Sequence, residues 1–120
     1  MMGFTSAQRY YLSREAADMR KSYDGLSGLV RQGLGRDPLS GEVFIFLNRR
    51  RTMIKILVWD RSGFVIWSKR LERGTFELPR STEAGASVAL RWEELVMILE
   101  VVSLGSIQRR KRYSREKAAA

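Results

Sequence analysis

Three strand-length apolar runs follow one another with very little chain between them: Val43 to Leu47, Ile54 to Trp59 and Phe64 to Lys69. Each is rich in the β-branched and aromatic residues that suit a pleated, half-buried surface. Asn48 to Thr52 joins the first pair, and Asp60-Arg61-Ser62-Gly63 joins the second. Connections this short close hairpins and cannot carry a parallel crossover, so the runs predict an antiparallel meander. Thr75-Phe76-Glu77-Leu78 predicts a fourth strand, stopped by Pro79. Side chains alternate along a strand, so Ile54, Ile56 and Val58 should take one face and Lys55, Leu57 and Trp59 the other.

Helical spacing flanks the meander. Tyr23, Leu26, Leu29, Val30 and Leu34 recur at that spacing, with Asp18 placed as an N-cap and Gly33 and Gly35 at the end. Gly25 and Gly28 inside this helix suggest close approach of another backbone. Asp37-Pro38-Leu39-Ser40-Gly41 is turn chemistry. A second helix is predicted from Trp92 through Leu95, Ile98, Leu99 and Val102, after a polar loop at Arg80 to Ser87. Arg9-Tyr10-Tyr11-Leu12 reads as a further short strand. The fold class expected is α+β: an antiparallel meander of three to four strands with one helix before it and one after. The length of 120 residues gives residues 1–8 as a loose leader, 9–107 as one domain and 108–120 as a basic, disordered tail.

Between the first two core strands stand three consecutive arginines, Arg49, Arg50 and Arg51. Charged heads must stay in water or meet an anion. From Arg49 to Arg80, nine basic residues face three acidic ones, a local excess of +6 within a chain of net charge +9. Arg70 and Arg73 follow the third strand, which runs back towards the same end of the meander. A positive edge on a stiff β frame suits phosphate contacts, which position a protein without reading base sequence. A solvated hairpin tip is the plainer reading.

The chain has no cysteine and no histidine. Disulfides, thiolate zinc sites, cysteine nucleophiles and imidazole acid–base chemistry are therefore excluded. Asp18, Asp24, Asp37 and Asp60 are available for a two-metal site, but no pair has metal-site spacing and most sit beside Arg or Lys. The sequence thus predicts no enzyme, no metal and no cofactor. No apolar stretch approaches the roughly 20 residues that span a bilayer, and a cytoplasmic protein is expected.

Several short motifs stand in a fixed order: Asp18-Met19-Arg20-Lys21, Asp24-Gly25-Leu26, and Asp37-Pro38 with Ser40-Gly41. Phe44 and Phe46, then Lys55-Ile56-Leu57 with Trp59-Asp60, and Gly63 continue the series. Lys69-Arg70-Leu71-Glu72-Arg73-Gly74 with Phe76 and Pro79 completes it. In order and spacing these resemble the small accessory protein, usually called TnpB, of insertion sequences of the IS-sixty-six type, which is unrelated to the RNA-guided nuclease of that name. The resemblance covers Leu12 to Pro79 closely and Leu90 to Leu99 more loosely. It departs at Arg91, where the family often carries Ser or Thr, and it ends before Gln108. The resemblance implies a role in transposition beside a separate, larger transposase, and it implies no catalytic residues. Asp18, Arg20, Asp24, Trp59, Asp60, Gly63 and Gly74 are motif positions to which it assigns no role.

The function expected is a non-catalytic accessory to transposition that binds DNA together with the transposase. The candidate contacts are Arg49, Arg50, Arg51, Lys55, Lys69, Arg70 and Arg73, with Arg109, Arg110, Lys111 and Arg112 in the tail. An adaptor that holds the transposase and touches DNA weakly, or an RNA-binding regulator, would use the same arginines. Trp59 and Trp67 could stack on unpaired bases, but large aromatics in a meander are expected in the core. Oligomeric state is left open.

Overall fold

A computed structural model describes residues 3–81 and 84–100. Its elements in chain order are β1 (Tyr10–Ser13), α1 (Tyr23–Gly28), β2 (Val43–Leu47), β3 (Met53–Asp60), β4 (Gly63–Arg70), β5 (Ser87–Leu90) and α2 (Trp92–Glu100). The strands form one sheet in the order β4-β3-β2-β1-β5. The expected meander is present as β2-β3-β4, both pairs antiparallel. The whole sheet, however, has five strands and is mixed rather than antiparallel. β1 runs parallel to β2, with Tyr10 opposite Val43 and Leu12 opposite Ile45, and β5 pairs antiparallel to β1. The crossover through α1 is what makes the parallel pair possible.

β2 lies at the centre, and all five of its residues are buried because both faces of the sheet are covered. On one face Leu12, Val43, Ile45, Leu47, Ile54 and Ile56 pack beneath Leu95, Ile98 and Leu99 of α2, with Phe76. On the other, Phe44, Phe46 and Leu57 pack beneath Leu26 and Val30. The alternation expected along β3 is therefore observed: Ile54, Ile56 and Val58 lie with α2, and Leu57 lies with α1.

The first helix departs from expectation in four ways. Asp18 is not its N-cap; Ser22 holds that position without a side-chain cap bond. Asp18 instead accepts the Arg20 backbone N–H at 2.9 Å, closing a turn four residues earlier. After Gly28 the helix widens into a π-helical turn, Leu29–Gly33, where the Leu34 N–H reaches the Leu29 carbonyl at 3.0 Å. Tyr23, the first residue of α1, is 48% exposed and does not join the apolar face. Gly25 and Gly28 do not admit a neighbouring backbone: a Cβ at Gly25 would meet the Lys21 side chain, and one at Gly28 would meet nothing.

Thr75 to Leu78 is not a fourth strand. A single bridge survives there, the Phe76 N–H donating to the Arg51 carbonyl at 2.8 Å. β5 (Ser87–Leu90) was not expected; it shares only Ser87 with the expected loop and fills the stretch between that loop and α2. α2 begins as predicted, and Glu94 accepts the Arg91 N–H at 3.0 Å, the half of a capping box that needs no hydroxyl. Ahead of β1, where a loose leader was expected, Phe4 packs edge-to-face on Tyr10 and the Tyr10 hydroxyl donates to the Thr5 carbonyl. Trp67 packs partly buried against the α2-side core. Trp59 is only half-buried, edge-on to Phe64 with centroids 5.0 Å apart, so it is not the deep core residue expected.

Candidate nucleic-acid interface

Arg49, Arg50 and Arg51 form the tip between β2 and β3, and all three are exposed. The tip is short and firmly built. The Asn48 side-chain oxygen accepts the N–H groups of Thr52 at 2.9 Å and Met53 at 3.0 Å, while its amide donates to the Thr52 hydroxyl at 3.0 Å. Arg51 closes the turn in the left-handed region at φ 57°, with its N–H on the Asn48 carbonyl. Among the described residues, none of the three guanidinium groups has an ion-pair partner.

A second loop is fastened to this tip. The Leu71 N–H donates to the Thr52 carbonyl and the Phe76 N–H to the Arg51 carbonyl, each at 2.8 Å. Arg73 lies in the four-residue excursion between those two bonds, where Gly74 takes φ 74°, a conformation that glycine adopts without a Cβ penalty. Arg70 ends β4 immediately before it, at 3.6 Å from Glu72 with both side chains well exposed, so that pair is worth little. The structure thus brings Arg49, Arg50, Arg51, Arg70 and Arg73 to one end of the sheet.

The two candidate lysines of the sheet are engaged elsewhere. Lys55 Nζ donates to the Lys21 carbonyl at 2.8 Å, on the α1 side. Lys69 Nζ donates to the Leu99 carbonyl at 3.1 Å, on the α2 side. Arg109, Arg110, Lys111 and Arg112 lie outside the described residues.

Arg14 is an addition that sequence reasoning missed. It follows β1, which runs parallel to β2, so it emerges at the same end as the arginine tip, with its N–H on the Ala86 carbonyl at 3.0 Å. Its signal was hidden in the parallel pairing. Asn48 was also missed, although an Asn at the start of a tight connection is an Asx-turn signature.

The other motif positions divide between the two ends. Asp18 and Arg20 neutralise each other through a forked ion pair, the closest contact being 2.7 Å. The Arg20 side chain holds the Asp18 carboxyl down at about 2. Asp24 stands in the first turn of α1, where the N-terminal dipole favours a carboxylate. Asp60 and Gly63 pair across the β3–β4 hairpin at the opposite end from the arginine tip. Around that end Arg36 pairs with Glu42 at 3.6 Å and Arg91 with Glu94 at 3.3 Å, so these two arginines are neutralised. Among the described residues no group of three or more acids could hold a metal ion. No described helix is long and apolar enough to cross a membrane. What the arginine end can do chemically is grip phosphate oxygens, since guanidinium forks match them bidentately.

Comparison with known proteins supports the family resemblance. Two relatives from Sinorhizobium fredii (strain NBRC 101917 / NGR234) are similar to this chain, both bearing the name uncharacterized protein. One, y4jC, is 33% identical over 79 residues, covering 66% of this chain and 68% of that protein. The other, y4hO, is 35% identical over 78 residues, covering 65% and 67%. No solved structure matches the chain. The family described as IS66 Orf2 like protein matches residues 8–109. The chain belongs to the IS66 Orf2-like family, and membership implies an accessory role in the transposition of an insertion sequence.

Proposed function

We propose that this chain is a non-catalytic transposition accessory that holds DNA by its phosphates through the arginine end, together with a separate transposase. The observation that carries the reading is the two fastened loops. Asn48 and the Arg51–Phe76 and Thr52–Leu71 bonds fix five exposed arginines on a rigid frame, while Arg36 and Arg91 at the opposite end are ion-paired. Holding the loops in advance reduces the ordering cost of binding. Contacts to phosphate alone make affinity depend steeply on salt and weakly on base sequence.

The test is a DNA titration at several salt concentrations, with and without the transposase. Replacing Arg49, Arg50 and Arg51 together by alanine should lower the salt slope by about 2.7, from roughly 0.9 for each phosphate released. An unchanged slope with a normal circular dichroism spectrum would sink the reading.

A second reading, an adaptor that holds the transposase with weak DNA contact, draws on one feature. Leu78, Pro79 and Ile98 line an apolar groove beside α2, at which Met97 is 60% exposed. Retained affinity for the transposase, with DNA binding lost only in the triple variant, would leave both roles standing. Loss of transposase binding in Met97→Glu alone would favour the adaptor.

A further inference from the structure

We infer that β4 is a self-pairing edge, at which a second copy of this chain extends the sheet antiparallel. β4 is the last strand of the sheet and pairs with β3 alone among the described residues. It is eight residues long, and its register with β3 runs unbroken from Met53 opposite Arg70 to Asp60 opposite Gly63. A long, regular edge presents a row of free N–H and C=O groups, and proteins ordinarily blunt such an edge with proline, a bulge or a charge placed within the strand. β4 has none of these between Phe64 and Ser68. Phe64, Val65, Ile66 and Trp67 are each only half-buried, although every residue of β2 is fully buried. β5, the other edge, has four residues.

The charges on the strand select the direction of pairing. The basic residues, Lys69 and Arg70, stand at the C-terminal end, and the Asp60–Arg61 turn, with one charge of each sign, adjoins the N-terminal end. Antiparallel pairing lays the basic end of one copy beside that neutral turn of the other and keeps the two basic ends apart. Parallel pairing would stack Lys69 and Arg70 against themselves and bring the two arginine tips together. A two-fold axis normal to the sheet keeps the α1 face of one copy continuous with that of the next, so residues of like parity meet and the axis passes between one residue and its own copy. The middle of β4 places that residue at Ile66 or Trp67. Arg70 ends β4 and also belongs to the arginine end, so the pairing is tested at the middle of the strand, away from the arginines of the DNA reading.

The chain has no cysteine, so single cysteines report pairing without background. Light scattering on the full chain over a range of concentrations should give a mass twice that of one chain. A short bis-maleimide should link two copies of Ile66→Cys or of Trp67→Cys, with the helical spectrum intact, and should leave Ser40→Cys unlinked. Should Trp67→Cys fail to fold, Ile66→Cys and the mass of the unaltered chain still decide. A monomer at every concentration overturns the inference. So does a dimer that links through Ser40→Cys and not through β4. A monomer whose outward β4 amides, those that β3 does not use, are protected from hydrogen exchange also overturns it, and assigns the edge to another segment of the same chain.

Discussion

Asn48 and Met53 hold each other across the arginine tip: the Met53 N–H donates to the Asn48 side-chain oxygen at 3.0 Å, and the Asn48 N–H donates to the Met53 carbonyl at 3.1 Å. The same Asn48 oxygen takes the Thr52 N–H, so one half-buried side chain sets the path of the loop. Asn48→Ala leaves two backbone donors without that partner. The expected cost is about 1 to 3 kcal/mol of stability, the range for stranding a partly buried polar group. DNA affinity should fall too, with all three arginines intact, because the loop must then be ordered on binding. Denaturant unfolding and a salt-dependent DNA titration on the same variant check both halves.

Lys55 and Lys69 should behave unlike the arginines. Each ammonium fastens a helical layer to the sheet, Lys55 through the Lys21 carbonyl and Lys69 through the Leu99 carbonyl. Lys55→Met and Lys69→Met are each expected to cost roughly 1 kcal/mol, below the usual worth of a charged hydrogen bond because water competes at these sites. The salt slope of DNA binding should hardly move. A fall of about 0.9 per lysine, with stability unchanged, would return them to the phosphate-binding set.

The central hairpins were legible because Ile54 to Trp59 alternates cleanly and the flanking connections are short enough to allow only antiparallel neighbours. What joined them to the rest of the sheet was not. Tyr10 and Val43 are opposite each other but lie 33 positions apart, and a parallel partner across a helix leaves no local mark. Ser87 to Leu90 offers four residues behind a polar stretch, too few to show a period. Asp18 has the residue type of an N-cap, but Arg20 captures its carboxylate before the helix begins. At the site, the arginines were visible as composition. Their fastening by Asn48, and the arrival of Arg14 at the same end, depended on pairings that a linear reading does not contain.

Arg51 sits in the left-handed region, at φ 57°, where a side chain costs about 1 to 2 kcal/mol and glycine nothing. Stability and binding should therefore separate at this position. Arg51→Gly should unfold at the same denaturant concentration as the parent or slightly higher, the relief of strain offsetting glycine's greater freedom when unfolded. Its DNA salt slope should nevertheless fall by about 0.9, for one lost phosphate contact. A destabilised variant with an unchanged slope would show that Arg51 serves the fold and not the DNA.

The Asp18–Arg20 pair makes a prediction in pH. The Arg20 side chain, with its backbone N–H adding to the effect, holds the Asp18 carboxyl at about 2, below the ordinary value of 3.8. A carboxylate with a lowered folded pKa contributes stability that is complete above its unfolded pKa and is lost as pH falls through the folded one. The contribution should thus be present at neutral pH and disappear between about pH 4 and pH 2, in proportion to the small worth of an exposed ion pair. Carboxyl NMR shifts should show Asp18 titrating near pH 2 in the parent. In Arg20→Ala the midpoint should rise towards the ordinary carboxylate value, since the largest cause of the shift has gone. If the midpoint stays low in that variant, backbone N–H groups rather than the guanidinium hold the carboxylate, and the turn before α1 does not depend on Arg20.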